Sequence, residues 1–222
     1  MTKNQTYPSF EEEIKCWAQD KLVIGVDEVG RGAFAGPIVA AAVVMPLSFS
    51  FPLESILKEV NDSKQVKPLL RIKLSEEIKK NALFWSIEEV NVSVINKHGI
   101  GTANRMVFRK VISDVIRASK QSKLDKEFYL LVDGFHVKFV RDIGLSHQKA
   151  IVKGDEKSFS IAAASIIAKV YRDRLMKKYH REFPDFGFGR NKGYGTRKHR
   201  EAIKLYGLSG LHRKSFHLHK FL

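Results

Sequence analysis

Four carboxylates in this chain stand where chemistry is possible. Asp27 and Glu28 are neighbours in Leu22-Val-Ile-Gly-Val-Asp27-Glu28-Val-Gly30-Arg31-Gly32; Asp133 closes Leu131-Val-Asp133-Gly134; Asp155 closes Lys153-Gly154-Asp155. Charge is costly in a strand core unless it is paired or metal-bound. Asp27 and Glu28 therefore either end a strand in water or hold a cation. Taken alone, Asp133-Gly134 reads as a turn pair and Asp155 as a helix N-cap. Arg31 is a donor of the kind that binds phosphate. Gly30 and Gly32 beside it let another backbone approach closely. Neighbours on a regular strand face opposite sides, so the two adjoining acids share a site only where the strand bends or ends.

The elements that must carry these residues can be read from pattern. The apolar run from Leu22 predicts a buried strand, and Gly36-Pro37-Ile-Val-Ala-Ala-Ala-Val-Val-Met45 predicts its hairpin return. A short helix is expected near Phe10 to Ala18. Pro46 to Pro68 reads as loops with short helical turns. Leu69 to Asn81 has helical spacing, and Ala82 to Asn91 alternates as a third strand. Val94 to Ser119 predicts a long helix, with Gly99 and Gly101 kinking it or delaying its start. Phe128 to Gly134 and His147 to Asp155 read as strands. Glu156 to about Arg181 predicts one strong helix, whose run Ile161-Ala-Ala-Ala-Ser165 allows close packing on a sheet. A glycine-broken loop, a helix from Thr196 to Tyr206 and a basic tail follow. Hairpin, third strand, then alternating helix and strand imply a mixed sheet with helices on its faces.

Composition narrows the partners. Lys and Arg number 39 against 24 Asp and Glu, a formal charge of +15. That excess favours nucleic acid over an anionic membrane surface. One cysteine, Cys16, excludes an intrachain disulfide and fits a reducing compartment. The N-terminus has no apolar signal region, and no apolar run reaches membrane-spanning length. A cytoplasmic protein is expected. None of the eight histidines has zinc-site spacing with cysteine.

The strand, Asp-Glu-Val-Gly-Arg-Gly and the Gly-Pro return resemble the signature of ribonuclease HII, the type 2 ribonuclease H family. Two further stretches match that family in order: Leu131-Val-Asp133-Gly134, and Lys153-Gly154-Asp155 followed by Ser160-Ile-Ala-Ala-Ala-Ser165-Ile-Ile-Ala-Lys169-Val-Tyr-Arg172-Asp173. The resemblance runs from Leu22 to the C-terminus. It implies a ribonuclease H-like α/β fold, a mixed β-sheet flanked by helices with a small C-terminal helical extension. The expected division is an N-terminal lead over 1–20, a catalytic domain over 21–189 and a substrate-binding extension over 190–222. A monomer is expected.

The same resemblance implies that Asp27, Glu28, Asp133 and Asp155 are the catalytic metal ligands. Two Mg²⁺ or Mn²⁺ ions about 3.5–4 Å apart can activate water and stabilise the leaving oxygen in phosphodiester cleavage. The implied activity is endonucleolytic hydrolysis of RNA in RNA–DNA hybrids and incision 5′ of ribonucleotides embedded in duplex DNA, as in ribonucleotide excision repair, leaving 3′-hydroxyl and 5′-phosphate ends. Gly30, Arg31 and Gly32, with Tyr194 of Lys192-Gly193-Tyr194-Gly195-Thr196, are implied to sense the RNA–DNA junction; the tyrosine's flanking glycines argue for an exposed ring. Lys64 of Asn61-Asp62-Ser63-Lys64 is implied to contact phosphate. Asp173 lies 18 residues past Asp155 (173 − 155), about 27 Å along a straight helix, so Arg172 and Asp173 are read as a structural, buried or half-buried pairing. In the tail, Phe216 is expected to anchor by packing, and His212, Arg213 and Lys214 either touch the duplex or form a solvated basic face. Two departures stand out: Ala33, where proline is usual, should only loosen the hairpin, and Glu156 could add negative charge near the metals. The alternative is a ribonuclease HIII-like nuclease without junction preference; only about twenty residues precede the hairpin, where that family carries an extra domain.

Overall fold

A computed structural model describes residues 7–47, 49–51, 54–124 and 126–222. The first six residues of the expected lead, and Ser48, Pro52 and Leu53 of the expected loop, lie outside these. Five strands, β1 (Leu22–Val29), β2 (Ile38–Val44), β3 (Phe84–Val90), β4 (Phe128–Asp133) and β5 (Gln148–Ile151), form one sheet in the order β3-β2-β1-β4-β5. β2 runs antiparallel to both β1 and β3, whereas β4 runs parallel to β1 and β5. The helices are α1 (Glu11–Trp17), α2 (Pro68–Asn81), α3 (Val92–Gln121), α4 (Phe159–Glu182), α5 (Phe188–Asn191) and α6 (Arg197–Tyr206). This is the expected mixed sheet flanked by helices.

A sheet covered on both faces needs strands that are apolar throughout, and β2 is buried at every position. Ile38, Ala40, Ala42 and Val44 turn to α3, where Val107, Phe108, Val111 and Ile112 meet them. Val39, Ala41 and Val43 turn to α4 and α2. Burying one such aliphatic side chain contributes roughly 1.5–3 kcal/mol. On the second face α4 lies against β1 itself: a Cβ on Gly25 would run into the Ser160 backbone. The alanines 162–164 keep that approach short, so a larger residue at Ala163 would cost about 1–3 kcal/mol of overpacking.

Helix ends differ from expectation for local reasons. α4 starts at Phe159, not Glu156, because Ser158 is its N-cap, accepting the Ile161 N–H. Residues 154–156 instead form a tight turn closed by Ser158 N–H on the Gly154 carbonyl (2.8 Å). α3 kinks at Gly99, whose φ of 77° is non-helical. β5 is shorter than expected and ends at Ile151. The glycine-broken loop contains α5 and packs with α6: Phe186, Phe188, Ala202 and Ile203 bury against Ala35 and Met176. Among the described residues no helix is long and apolar enough to cross a membrane.

Candidate active site

All nine residues singled out from sequence, Asp27, Glu28, Gly30, Arg31, Gly32, Lys64, Asp133, Asp155 and Tyr194, line one cleft of about 370 Å³. It opens beyond the carboxyl ends of β1 and β4, where the strand order reverses, the usual place for a ligand on such a sheet. β1 explains how neighbouring acids share it. Pairing with β2 continues through Val29, but pairing with β4 stops at Val26. Asp27 lies on the α4 side of the sheet, near Ser165, and Glu28 on the α3 side, near Asn104. With β4 gone, both flanks of the strand end open into the same space. The strand neither bends away nor ends at Asp27; its neighbour does.

Local bonds orient the acids. Asp27 Oδ1 accepts the Glu28 N–H at 2.7 Å. Asp133, at the tip of β4, accepts the Gly154 N–H at 2.7 Å, which ties it to the turn carrying Asp155. Asp155 sits in that turn rather than capping α4. The loop bearing Lys64 is pinned to α4 by Ser165 Oγ donating to Ser63 Oγ (2.9 Å). Its ammonium lies 3.6 Å from Asp155 Oδ2 and 3.8 Å from Asp62 Oδ1.

The acids are short of positive charge. Burial, then the charges of Glu28 and Asp133, push Asp27 well above the usual carboxylate range. Burial pushes Glu28 up to about 7, with Arg31 opposing and Asp133 adding; Arg31 Nη1 stands 3.9 Å from Glu28 Oε1. Burial also raises Asp155, against the pull of Lys64. Carboxylates this close favour a bound cation. The donor set is all oxygen, which suits hard ions such as Mg²⁺ or Mn²⁺. Among the described residues no three acidic, histidine or cysteine side chains close into a finished cage. Mg²⁺ keeps several waters and takes substrate phosphate oxygens, so an open row of carboxylates fits it.

The hairpin rests on two buried guanidiniums. Arg172 and Arg213 are both 0% exposed. Arg172 donates to the carbonyls of Pro37 (3.0 Å), Lys192 (2.9 Å) and Ala35 (3.1 Å). Arg213 donates to those of Gly36 (2.9 Å) and Arg31 (2.8 Å). Gly30, at φ +88°, passes so close to Arg172 Nε that a Cβ would overlap it, whereas a Cβ on Gly32 would meet nothing within 4 Å. The Arg172 guanidinium lies 5.6 Å from the Tyr194 ring centroid, and Tyr194 is 36% exposed. Its flanking glycines serve packing: a Cβ on Gly193 would strike the Ala35 carbonyl, and one on Gly195 the Phe34 ring.

Several sequence readings need correction. His212 and Arg213 are neither a solvated basic face nor a duplex contact; both are buried, and only Lys214 of the three is exposed. Arg172 does not pair with Asp173, which instead binds Lys169 (2.7 Å) and Arg71 (3.4 Å). Glu156 pairs with Lys153 at 3.1 Å, and its charge still helps to raise Asp155, as expected. Phe216 packs on the main core, as expected. Sequence reading missed three supporting residues. Asn104 is buried beside Glu28, its amide without a well-formed hydrogen bond. Ser165 lies beside Asp27 and donates to Ser63. Glu13 of α1 is fully buried and accepts Ser158 Oγ–H (2.7 Å) and Ser160 N–H (2.9 Å), so the lead braces the start of α4. A lone glutamate among three gave no signal of this; the polar-in-apolar context of Asn104 on α3 did.

Comparison with known proteins bears on the family and the fold. The family model described as Ribonuclease HII matches residues 24–221. The chain is 46% identical over 197 residues to the ribonuclease HII of Syntrophus aciditrophicus, covering 88% of this chain and 84% of that protein. Among solved structures it resembles ribonuclease H2 from Pyrococcus horikoshii, with TM-score 0.69, 26% identity, and 90% of this chain and 96% of that one covered. It also shares its fold with Bst-RNase HIII in complex with Mn²⁺, at TM-score 0.71 and 19% identity, covering 93% of this chain and 71% of that one.

Proposed function

The chain belongs to the ribonuclease HII family and is a metal-dependent ribonuclease H, and from that premise we propose that it incises duplex DNA 5′ of single embedded ribonucleotides as well as cutting RNA in hybrids. The products are 3′-hydroxyl and 5′-phosphate ends, and the biological setting is ribonucleotide excision repair in the cytoplasm by a monomer. The observation that supports this reading is the convergence of four acids, the Gly30-Arg31-Gly32 turn, Lys64 and Tyr194 on one cleft.

Asp27, Glu28, Asp133 and Asp155 would hold two divalent ions. Such ions supply an activated water and neutralise the leaving oxygen of an in-line displacement. The rest is done by the chain. Lys64, with its ammonium beside Asp155, offers a donor to a phosphate oxygen at the rim. Arg172 and Arg213 draw the carbonyls of residues 31 and 35–37 inward. That leaves the turn free to meet a 2′-hydroxyl, the group that separates RNA from DNA. The open space beside Gly32 admits the sugar. Tyr194 packs on the nucleotide across the junction. Residues 190–222 act as the substrate-binding extension through Tyr194 and the exposed basic residues of α6.

Three 5′-labelled duplexes test this: DNA with one ribonucleotide, an RNA–DNA hybrid and DNA alone, each with Mg²⁺. Incision at the 5′ side of the single ribonucleotide, cutting of the hybrid and no cutting of DNA are expected. Cutting of the hybrid with the single ribonucleotide left intact would overturn junction recognition and favour the ribonuclease HIII-like alternative.

A further inference from the structure

Beneath Tyr194, away from the carboxylates, two histidines are buried with no task in the reaction. His199 of α6 and His212 of the tail are both 0% exposed. Their Nε2 atoms are 3.1 Å apart. One proton must lie between them, so one ring donates and the other accepts. The outer partners decide which.

The Ser209 backbone N–H points at His212 Nδ1 over 2.9 Å. An amide N–H can only donate, so His212 Nδ1 carries no proton. The ring's single proton is then on Nε2 and is donated to His199 Nε2. His199 must in turn carry its proton on Nδ1. That nitrogen lies 2.9 Å from the Tyr194 carbonyl and donates to it. The chain Ser209, His212, His199, Tyr194 is satisfied by one tautomer of each ring, both neutral. An extra proton on either ring would set two donors against each other.

The surroundings hold that state. Phe186 lies 4.7 Å from the His212 ring centroid and Phe188 5.4 Å from that of His199. Burial keeps His199 below the ordinary histidine value, and burial together with His199 brings His212 down to about 4. On the other side of Tyr194, the Gly193 carbonyl accepts the N–H groups of Phe34 (2.8 Å) and Ala35 (3.2 Å). The tyrosine backbone is thus gripped from both sides while its ring faces the cleft.

We propose that His199 and His212 are positioning residues, a proton-ordered pair that fixes the Tyr194 backbone so that its ring meets the junction nucleotide in one register. This rests on the reading of Tyr194 as a junction sensor. It makes the C-terminal tail a determinant of specificity without any contact between His212 and the duplex.

The test has two parts on the full-length protein. Imidazole ¹⁵N NMR at pH 7 should show His199 protonated on Nδ1 and His212 on Nε2. The reverse tautomers, or an imidazolium on either ring, would overturn the proposal without any variant having to fold. Kinetics then compare His199→Phe, which keeps a ring and removes the donor, with His199→Asn, whose amide can replace Nδ1–H. His199→Phe should lower kcat/KM on the single-ribonucleotide duplex by about tenfold, within the range for losing a base–aromatic contact. It should change the hybrid reaction much less, and His199→Asn should restore most of the loss. Equal losses on both substrates, or no rescue by Asn, would overturn it. Tyr194→Ala run alongside separates the two levels. If it alters the substrate ratio and His199→Phe does not, only this proposal fails; if Tyr194→Ala leaves the ratio unchanged, the sensor reading fails and takes the proposal with it.

Discussion

The carboxylate cleft and the arginine pair under the hairpin are both buried charge, and they are built in opposite ways. Among the described residues Arg172 and Arg213 have no carboxylate partner; they donate to five backbone carbonyls instead, with Arg213 Nη2 alone left without an acceptor. Burial lowers both, Arg213 to about 9, which leaves Arg213 charged at neutral pH. The acids have the converse problem. Asp27 and Asp155 are 5% and 7% exposed, with like charges for neighbours; among the described residues the nearest cation to Asp155 is the Lys64 ammonium at 3.6 Å. Satisfied buried charge stabilises a shape. Unsatisfied buried charge, of one sign and at a cleft, calls for a ligand of the other sign.

The largest expected effect is on the satisfied side. Arg172→Leu leaves three carbonyls without their donor. At roughly 1–3 kcal/mol for each unpaired buried group, the loss is about 3–9 kcal/mol, comparable to the whole stability of many domains. Denaturant unfolding should show a collapse of the midpoint or no folded protein. A variant within about 1 kcal/mol of wild type would show that the guanidinium is not what holds the hairpin.

The opposite sign is expected in the cleft. Folding raises Glu28 from its ordinary 4.5 to about 7, so the folded, metal-free protein binds this proton more tightly than the unfolded chain. That stabilisation is fully present below about 4.5 and is lost as pH rises through about 7, on the order of 3 kcal/mol in total. Metal-free melting temperature should therefore fall between pH 6 and pH 8, and Glu28→Gln, a mimic of the protonated acid, should flatten that slope and raise stability at pH 8. A metal-free protein that loses no stability across this range would contradict the electrostatic picture. Mg²⁺ competes with the same proton, so its apparent affinity should rise over the same interval.

A smaller contrast lies within the Gly-Arg-Gly turn. Gly30→Ala forces a Cβ into Arg172 at positive φ and should cost about 1–3 kcal/mol of stability. Gly32→Ala meets no protein atom and should stay within about 0.5 kcal/mol of wild type, yet lower kcat/KM on the single ribonucleotide. Equal melting temperatures for the two variants would dissolve the distinction between a packing glycine and a substrate-facing one.

Much of this was legible in the sequence, and the limits have physical reasons. Apolar runs located the strands, and the resemblance to the family motifs, not local pattern, assigned all four carboxylates: Asp27 and Glu28 stand inside β1 and Asp155 in a turn beyond β5. Local pattern could not show that Asp27 and Glu28 share a cleft, since that depends on where β4 stops pairing. The tail misled: His212 and Arg213 look like solvated basic residues until the carbonyls and rings that surround them, distant in sequence, are known. The Gly193 and Gly195 signal was real, but it marked contact with Phe34 and Ala35. Glu13 was invisible because its partners, Ser158 and Ser160, lie about 145 residues away.

The central claim, that the four carboxylates bind the divalent ions that drive cleavage, is tested most directly by nicking of the single-ribonucleotide duplex across a Mg²⁺ titration, with wild type and Asp27→Asn side by side. Duplex binding is measured on the same samples. No product is expected with chelator, full recovery with Mg²⁺ or Mn²⁺, and a loss above about 100-fold for Asp27→Asn, since even partners behind a metal ligand are worth up to about that much. Duplex binding by the variant should remain close to wild type. Full activity of Asp27→Asn, or of wild type in chelator, in protein free of contaminating nuclease, would contradict the assignment.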